Sequence, residues 1–300
     1  MNTITFSEFL SLLFSSPSLF ITVVFTLGVV LVNGWTDAPN AIATCVSTRS
    51  IRPKAAIIMA AIFNFLGVLI MSVFNSQVAQ TIYNIADFAG EPRTALIALC
   101  AAMFAIVIWA TVAWKFGIPT SESHALIAGV SGAAIALQNG FHGLHAGEWA
   151  KVLYGLLLST VLGFFSGFVT VRLVEFLFKN KDRTSTMGFF KNSQIFGGAA
   201  MAFMHGAQDG QKFIGVFLLG VSLSKGEANT ESFQIPLWLM ILCSLIMAVG
   251  TSIGGYRIIK AVGMDMVKLE KYQGFSSDLA STGCLLLSSL TGLPVSTTHT

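Results

Sequence analysis

Stretches without a charged residue dominate the chain, separated by short polar segments. Measured against the ~20 residues a helix needs to cross hydrocarbon, they predict spans at residues 18–47, 55–74, 94–114, 117–137, 152–171, 193–223, 236–253 and 279–293. Residues 1–17 predict a short helix on the membrane surface. Two spans are interrupted. The first breaks at Asn33-Gly34-Trp35-Thr36-Asp37-Ala38-Pro39-Asn40, the second at His205-Gly206-Ala207-Gln208-Asp209-Gly210-Gln211-Lys212. Two others carry a polar edge: Gly117-Ile118-Pro119-Thr120-Ser121-Glu122-Ser123-His124 and Gly292-Leu293-Pro294-Val295-Ser296-Thr297-Thr298-His299. The pattern predicts an all-α, polytopic membrane protein with broken helices and re-entrant helical hairpins.

Such segments do not rest in lipid. An unpaired backbone group there costs several kcal/mol, and a carboxylate at least ~2.5 kcal/mol. Both interruptions are therefore expected to line a cavity enclosed by protein.

Composition agrees. The 300 residues are 54% hydrophobic and 10% charged, against roughly 25% charged in soluble domains, and mean hydropathy is +0.75. The net charge of +3 sits in a few loops, so it bears on topology and not on nucleic acid. Cys45, Cys100, Cys243 and Cys284 lie singly in apolar runs and read as small core residues. No basic residue precedes Arg49, so the n-region of a signal peptide is missing. Loops 48–54, 179–191 and 254–277 are basic, whereas 75–93 and 224–234 are slightly acidic. The positive-inside rule puts the first three in the cytoplasm. The first broken span then runs inward, the second outward, and 117–137 crosses once as a bent hairpin with a short helix.

The polar segments repeat. Gly34 and Asp37 match Gly206 and Asp209 at an offset of 172; Gly117, Pro119, Ser121 and His124 match Gly292, Pro294, Ser296 and His299 at 175. Opposite orientation of the copies makes this an inverted-topology repeat, as in secondary transporters with a midplane site; a parallel repeat is the alternative if the loops are misassigned. The expected organisation is a first transmembrane repeat at 1–178, a cytoplasmic linker at 179–192, and a second, inverted repeat at 193–300. By the offset, the rest of its hairpin and one more span would follow Thr300, so this repeat looks incomplete at its C-terminus.

Asp37 reads as a helix N-cap, a cation ligand, or both, since capped half-helix ends bind ions in transporters. Asp209, its twin, favours the ligand. Thr120, Ser121, Ser123, Ser296, Thr297 and Thr298 follow Gly-x-Pro, and a helix N-terminus there suits an anion; simple capping is the plainer reading. Asn33 and His205 occupy equivalent positions near the breaks. His124 and His299 either orient the hairpins or relay protons. Glu122 has no acidic twin, because Thr297 stands there, and gets no symmetric role. Lys212 sits three residues from Asp209 on one helical face, where a plain ion pair would form. One lysine does not offset two carboxylates, so an oxyanion enters only with cations. Bringing a dianion in against 100 mV costs ~4.6 kcal/mol; two cations cancel that and a third makes entry favourable.

At these residues the chain resembles the inorganic phosphate transporter (PiT) family, as a bacterial low-affinity phosphate symporter. Residues 33–40 and 205–212 resemble its two signatures, and Pro119-Thr120-Ser121-Glu122-Ser123-His124 and Pro294-Val295-Ser296-Thr297-Thr298-His299 resemble its paired hairpins. The resemblance implies that Asp37, Asn40, Thr120, Ser121 and Ser123, with Gln208, Asp209, Lys212, Ser296, Thr297 and Thr298, surround inorganic phosphate. It implies a coupling cation, sodium or proton, near Asn33, Asp37, His205 and Asp209. Thr36 and Gln208 stand where the family often has Asn, and Pro39 where Ala is common, which leaves the coupling ion open. The expected function is cation-coupled phosphate symport by alternating access, multi-pass in the cell membrane. It would involve monovalent cations and the lipid bilayer, and no catalytic residue, cofactor or nucleic acid. A homodimer is open. Alternatives are another oxyanion such as sulfate, or an anion channel, which needs a continuous polar pore. An intramembrane enzyme is disfavoured, since neither Gly-x-Ser-x-Gly nor His-Glu-x-x-His occurs.

Overall fold

The structure, a computed structural model, describes residues 4–88, 90–118, 120–226, 234–254, 259–260 and 269–299. Pro119, most of the loop at 224–234 and half of the loop at 254–277 lie outside the described residues. The described residues are helical apart from turns and one isolated bridge, Ala86 to Leu144. The helices are α1 (Phe6–Ser15), α2 (Pro17–Thr36), α3 (Asn40–Ser47), α4 (Pro53–Phe74), α5 (Gln77–Tyr83), α6 (Pro92–Phe116), α7 (Glu122–Gln138), α8 (Ala146–Phe178), α9 (Arg183–Lys225), α10 (Leu237–Gly254) and α11 (Lys271–Leu290).

The starts follow local chemistry. Thr5 and Glu8 form a capping box at α1, and Ser16 caps α2 through the Leu19 amide. Proline opens α2, α4 and α6 at the first position, where its missing N–H costs nothing. α1 is held by Phe9, stacked on Trp238 at 4.8 Å. Four helical stretches, Pro17–Ser47, Pro53–Phe74, Pro92–Phe116 and Ala146–Phe178, are long and apolar enough to cross a membrane. The outer surface is apolar in turn: Leu157, Phe164, Phe165 and Phe168 of α8 are exposed, as expected of a helix that meets lipid.

α2–α3 and α9 run antiparallel. Thr22, Asn33 and Cys45 lie in order beside Gly220, Asp209 and Gln194. α6 runs parallel to α2, by Phe25–Phe104 and Trp35–Trp114 ring contacts. α11 runs parallel to α9, since Gln194 meets Asp278 and Gln208 meets Ser289. The two sets of offset-related segments therefore point in opposite directions. Both α6 and α11 stop at a left-handed glycine, Gly117 and Gly292, each with φ 70°, a conformation costly for other residues.

Five expectations change. The second span is not broken: α9 is one helix of 43 residues through His205–Lys212. It contains no proline, and its polar side chains find partners across the interface, so the backbone need not open. The first break is narrower than expected, with only Asp37–Pro39 outside α2 and α3. The first hairpin is α6 with α7, its tip at 117–121. Gly143 and Ile85 carbonyls bind the Asp87 and His145 amides, so both arms end on the same side. The expected exterior loop at 75–93 holds α5, whose Val78, Ala79, Thr81, Ile82 and Tyr83 are buried. Of the expected linker, only 179–182 precede α9.

α4 and α9 approach at Gly206. A Cβ there would sit 2.3 Å from the Asn64 carbonyl oxygen. Gly206→Ala should destabilise the protein by about 1–3 kcal/mol through overpacking, lowering its melting temperature in detergent. Gly167→Ala, with open space around it, should not. Equal melting of the two variants would refute the close contact.

Candidate functional site

Both signature carboxylates are fully buried and meet in one cluster at the centre. Asp37 caps the end of α2. Its Oδ1 accepts from Asn40 Nδ2 at 2.7 Å and from Thr298 Oγ1 at 2.6 Å, and its Oδ2 from Thr297 Oγ1 at 3.3 Å. Asp209 Oδ1 accepts from Lys212 Nζ at 2.7 Å and Ser123 Oγ at 3.2 Å, and Oδ2 from Asn33 Nδ2 at 3.1 Å. Lys212 also donates to Ser123 Oγ and the Val295 carbonyl. The contacts are crossed: Thr298, from the later hairpin, binds the earlier acid, and Ser123, from the earlier hairpin, binds the later acid.

His205 lies between the acids. Its Nε2 is 3.4 Å from Asp209 Oδ2 and 3.9 Å from Asp37 Oδ2. Asn64 fixes the ring: Asn64 Nδ2 donates to Thr251 Oγ1, so its Oδ1 faces His205 Nδ1 at 3.0 Å and accepts from it. His205 Nε2 then faces the space between the carboxylates. One ligand atom each of Asp37, His205 and Asp209 lies within 4.8 Å of the others. Asn33 Oδ1, Asn40 Oδ1 and His205 Nε2 are buried without a hydrogen bond. The two amide oxygens, Asn33 Oδ1 and Asn40 Oδ1, are acceptors.

The hairpin tips meet beside this cluster. Ser296 Oγ donates to Ser121 Oγ at 2.8 Å, and Thr298 Oγ1 lies 3.4 Å from the Thr120 carbonyl. His124 and His299 rings sit 4.8 Å apart, and His299 Nδ1 contacts Ser296 Oγ at 2.9 Å. Ser121 caps α7 through the His124 amide. Asn33, Asp37, Asn40, Ser123, His205, Asp209, Lys212, Thr297 and Thr298 thus converge, with Thr120, Ser121 and Ser296 adjoining. Gln208 does not join them: its Nε2 turns to Ser289 Oγ at 3.0 Å on α11. Sequence reading missed Asn64, a lone polar residue in an apolar run, and gave no role to Glu122, which is fully buried. It also missed Asp278, buried where Thr44 and Gln194 bind it and tie α3, α9 and α11 together.

Residues 33–300 match the model of the phosphate transporter family. The chain belongs to that family. It is 36% identical over 268 residues to a Bacillus subtilis protein named "Probable low-affinity inorganic phosphate transporter", covering 89% of this chain and 78% of that protein. A Rhizobium meliloti protein of the same name is 35% identical with the same coverage. A solved structure named "The sodium-dependent phosphate transporter" shares the fold, with a TM-score of 0.84 at 22% identity, over 95% of this chain and 87% of that one. Membership places this chain among membrane transporters and sets the enzyme reading aside.

Lys212 is the single lysine in the cluster, and it is fully buried. Lys212→Met strands the Asp209 charge and should cost about 3–5 kcal/mol of stability, read as thermal unfolding in detergent. Adding Asp209→Asn should recover most of that loss. A double variant no more stable than Lys212→Met would refute the pairing.

Proposed function

We propose that this chain carries inorganic phosphate across the cell membrane together with cations, by alternating access between two inverted halves. The observation that carries the reading is the set of unpartnered acceptors around two buried carboxylates. Against the two carboxylates, Asp37 and Asp209, stands one lysine, Lys212. An anion is repelled from such a place until cations enter it. Asn33, Asp37, His205 and Asp209 would hold those cations. Asp37 and the two amide oxygens are hard ligands suited to sodium, and the protein of like fold is named sodium-dependent. The antiparallel course of α2 and α9 supports the inverted arrangement.

The crossed contacts suggest an order of events. A cation placed between the acids takes over the charge that Thr297, Thr298 and Ser123 now solvate. Their hydroxyls, with Lys212 and Asn40, are then released to donate to phosphate. Thr120, Ser121 and Ser296 at the tips would close over it. Cations therefore bind first, and phosphate follows. Gln208 supports α11 in this scheme, through Ser289.

The test is labelled phosphate uptake into proteoliposomes with a sodium gradient and a proton gradient imposed separately. Wild type should accumulate phosphate against its gradient. Asp37→Asn removes a charged ligand worth about 2–3 kcal/mol, roughly a hundredfold in cation affinity, and should abolish gradient-driven uptake at ordinary salt. Wild-type uptake by Asp37→Asn would overturn the assignment.

A further inference from the structure

A cleft on the outer surface has no part in the scheme above. It lies between the parallel helices α2 and α6 and has a volume of about 550 Å³. Ile21 and Phe25 of α2 and Ile97 and Phe104 of α6 form its walls, and of these Ile21, Ile97 and Phe104 are exposed. Phe25 and Phe104 meet edge-on at 5.2 Å, at the end farthest from the helix starts. The small side chains of Cys100 and Ala101 leave room between the walls. The other end is polar, where Ser18 and Arg93 line it.

The length of the cleft fits one leaflet. Pro17 and Pro92 open the stretches Pro17–Ser47 and Pro92–Phe116, each able to cross a membrane, so Ser18 and Arg93 stand at the edge of the hydrocarbon. The helix from Arg93 to Phe104 rises roughly 16 Å at ~1.5 Å per residue. Half of a ~30 Å hydrocarbon core is about 15 Å. An occupant of matching shape has an apolar tail one leaflet long and a head at the level of Arg93.

Charge decides which head. Among the described residues, no acid forms an ion pair with the Arg93 guanidinium and no hydrogen bond engages it. Glu91, two residues earlier, does not line the cleft. A guanidinium left free beside an apolar cleft suits a phosphate ester, whose oxygens accept from two of its N–H groups at once. A zwitterionic lipid brings its own cation with the phosphate, whereas an anionic lipid leaves its charge to be balanced by Arg93. Free phosphate has no tail to fill the space below.

We propose that the cleft between α2 and α6 is a binding site for one anionic phospholipid, with its phosphate on Arg93 and Ser18 and an acyl chain between Ile21 and Phe104. The lipid ties together two helices whose far ends carry Asp37 and the tip of the first hairpin.

Cys100 reports occupancy at the site itself. It is half-buried in the cleft, whereas Cys45, Cys243 and Cys284 are buried. The experiment follows alkylation of Cys100 by N-ethylmaleimide in detergent while phosphatidylglycerol or phosphatidylcholine is titrated in. In wild type, phosphatidylglycerol should protect Cys100 at about tenfold lower concentration than phosphatidylcholine, the worth of a charge-assisted hydrogen bond. Arg93→Gln should remove that difference. Lys191→Gln, which removes an exposed basic side chain elsewhere, should keep it. Ala101→Phe fills the cleft and should weaken the binding of both lipids, read by native mass spectrometry. Equal protection by the two lipids in wild type overturns the proposal, as does an undiminished preference in Arg93→Gln. A dimer that Ala101→Phe dissociates would place a second copy of the chain in the cleft and would also overturn it.

Discussion

Two carboxylates and one lysine share the buried centre of this protein, and the rest of the molecule is arranged to make that tolerable. Asp209 is met by Lys212, Ser123 and Asn33; Asp37 has only neutral donors, Asn40, Thr297 and Thr298. Neutral donors solvate a buried charge but do not cancel it. The long continuous α9, the close approach at Gly206 and the meeting of the hairpin tips all serve to bring these donors from distant parts of the chain to one place. Nothing in lipid could replace them, which is why the cluster lies inside the helices and the apolar residues face outward.

The same chemistry gives the site its versatility. A hydroxyl can donate to a carboxylate or to a phosphate oxygen, and its oxygen can also turn to a cation. In the proposed cycle Ser123, Thr297 and Thr298 would be the side chains through which cation and anion occupancy communicate. His205 adds a second kind of contact, a nitrogen whose orientation is set from a distance by Asn64 and Thr251. The specificity of the centre thus depends on residues of α4 and α10 that touch neither acid.

Much of this was legible in the sequence. The apolar runs marked the helices, and the paired polar segments marked residues that converge in one buried cluster with Asp37 and Asp209 at its centre. The course of the backbone through the second segment was not legible. Gly206 and Asp209 repeat Gly34 and Asp37, yet only the first copy carries a proline, Pro39, and only it opens. In α9 the glycines admit α4, and the polar side chains reach tertiary partners that no local pattern reveals. Gln208 was misjudged for the same reason, since a helix places it about 100° around from Asp209 and toward α11. Glu122 was set aside because symmetry gave it no twin, although a buried acid needs none to matter.

The crossing of the hydroxyl contacts has one more consequence. Because each hairpin covers the acid belonging to the other half, neither half can swing its own hairpin away without uncovering a bare charge on its neighbour. In the proposed transport cycle this would latch the unloaded protein: ions alone would not restore the full set of donors, and phosphate alone would be repelled, so suppression of leak would need no separate plug and would follow from which copy of the duplication holds the lock and which holds the key.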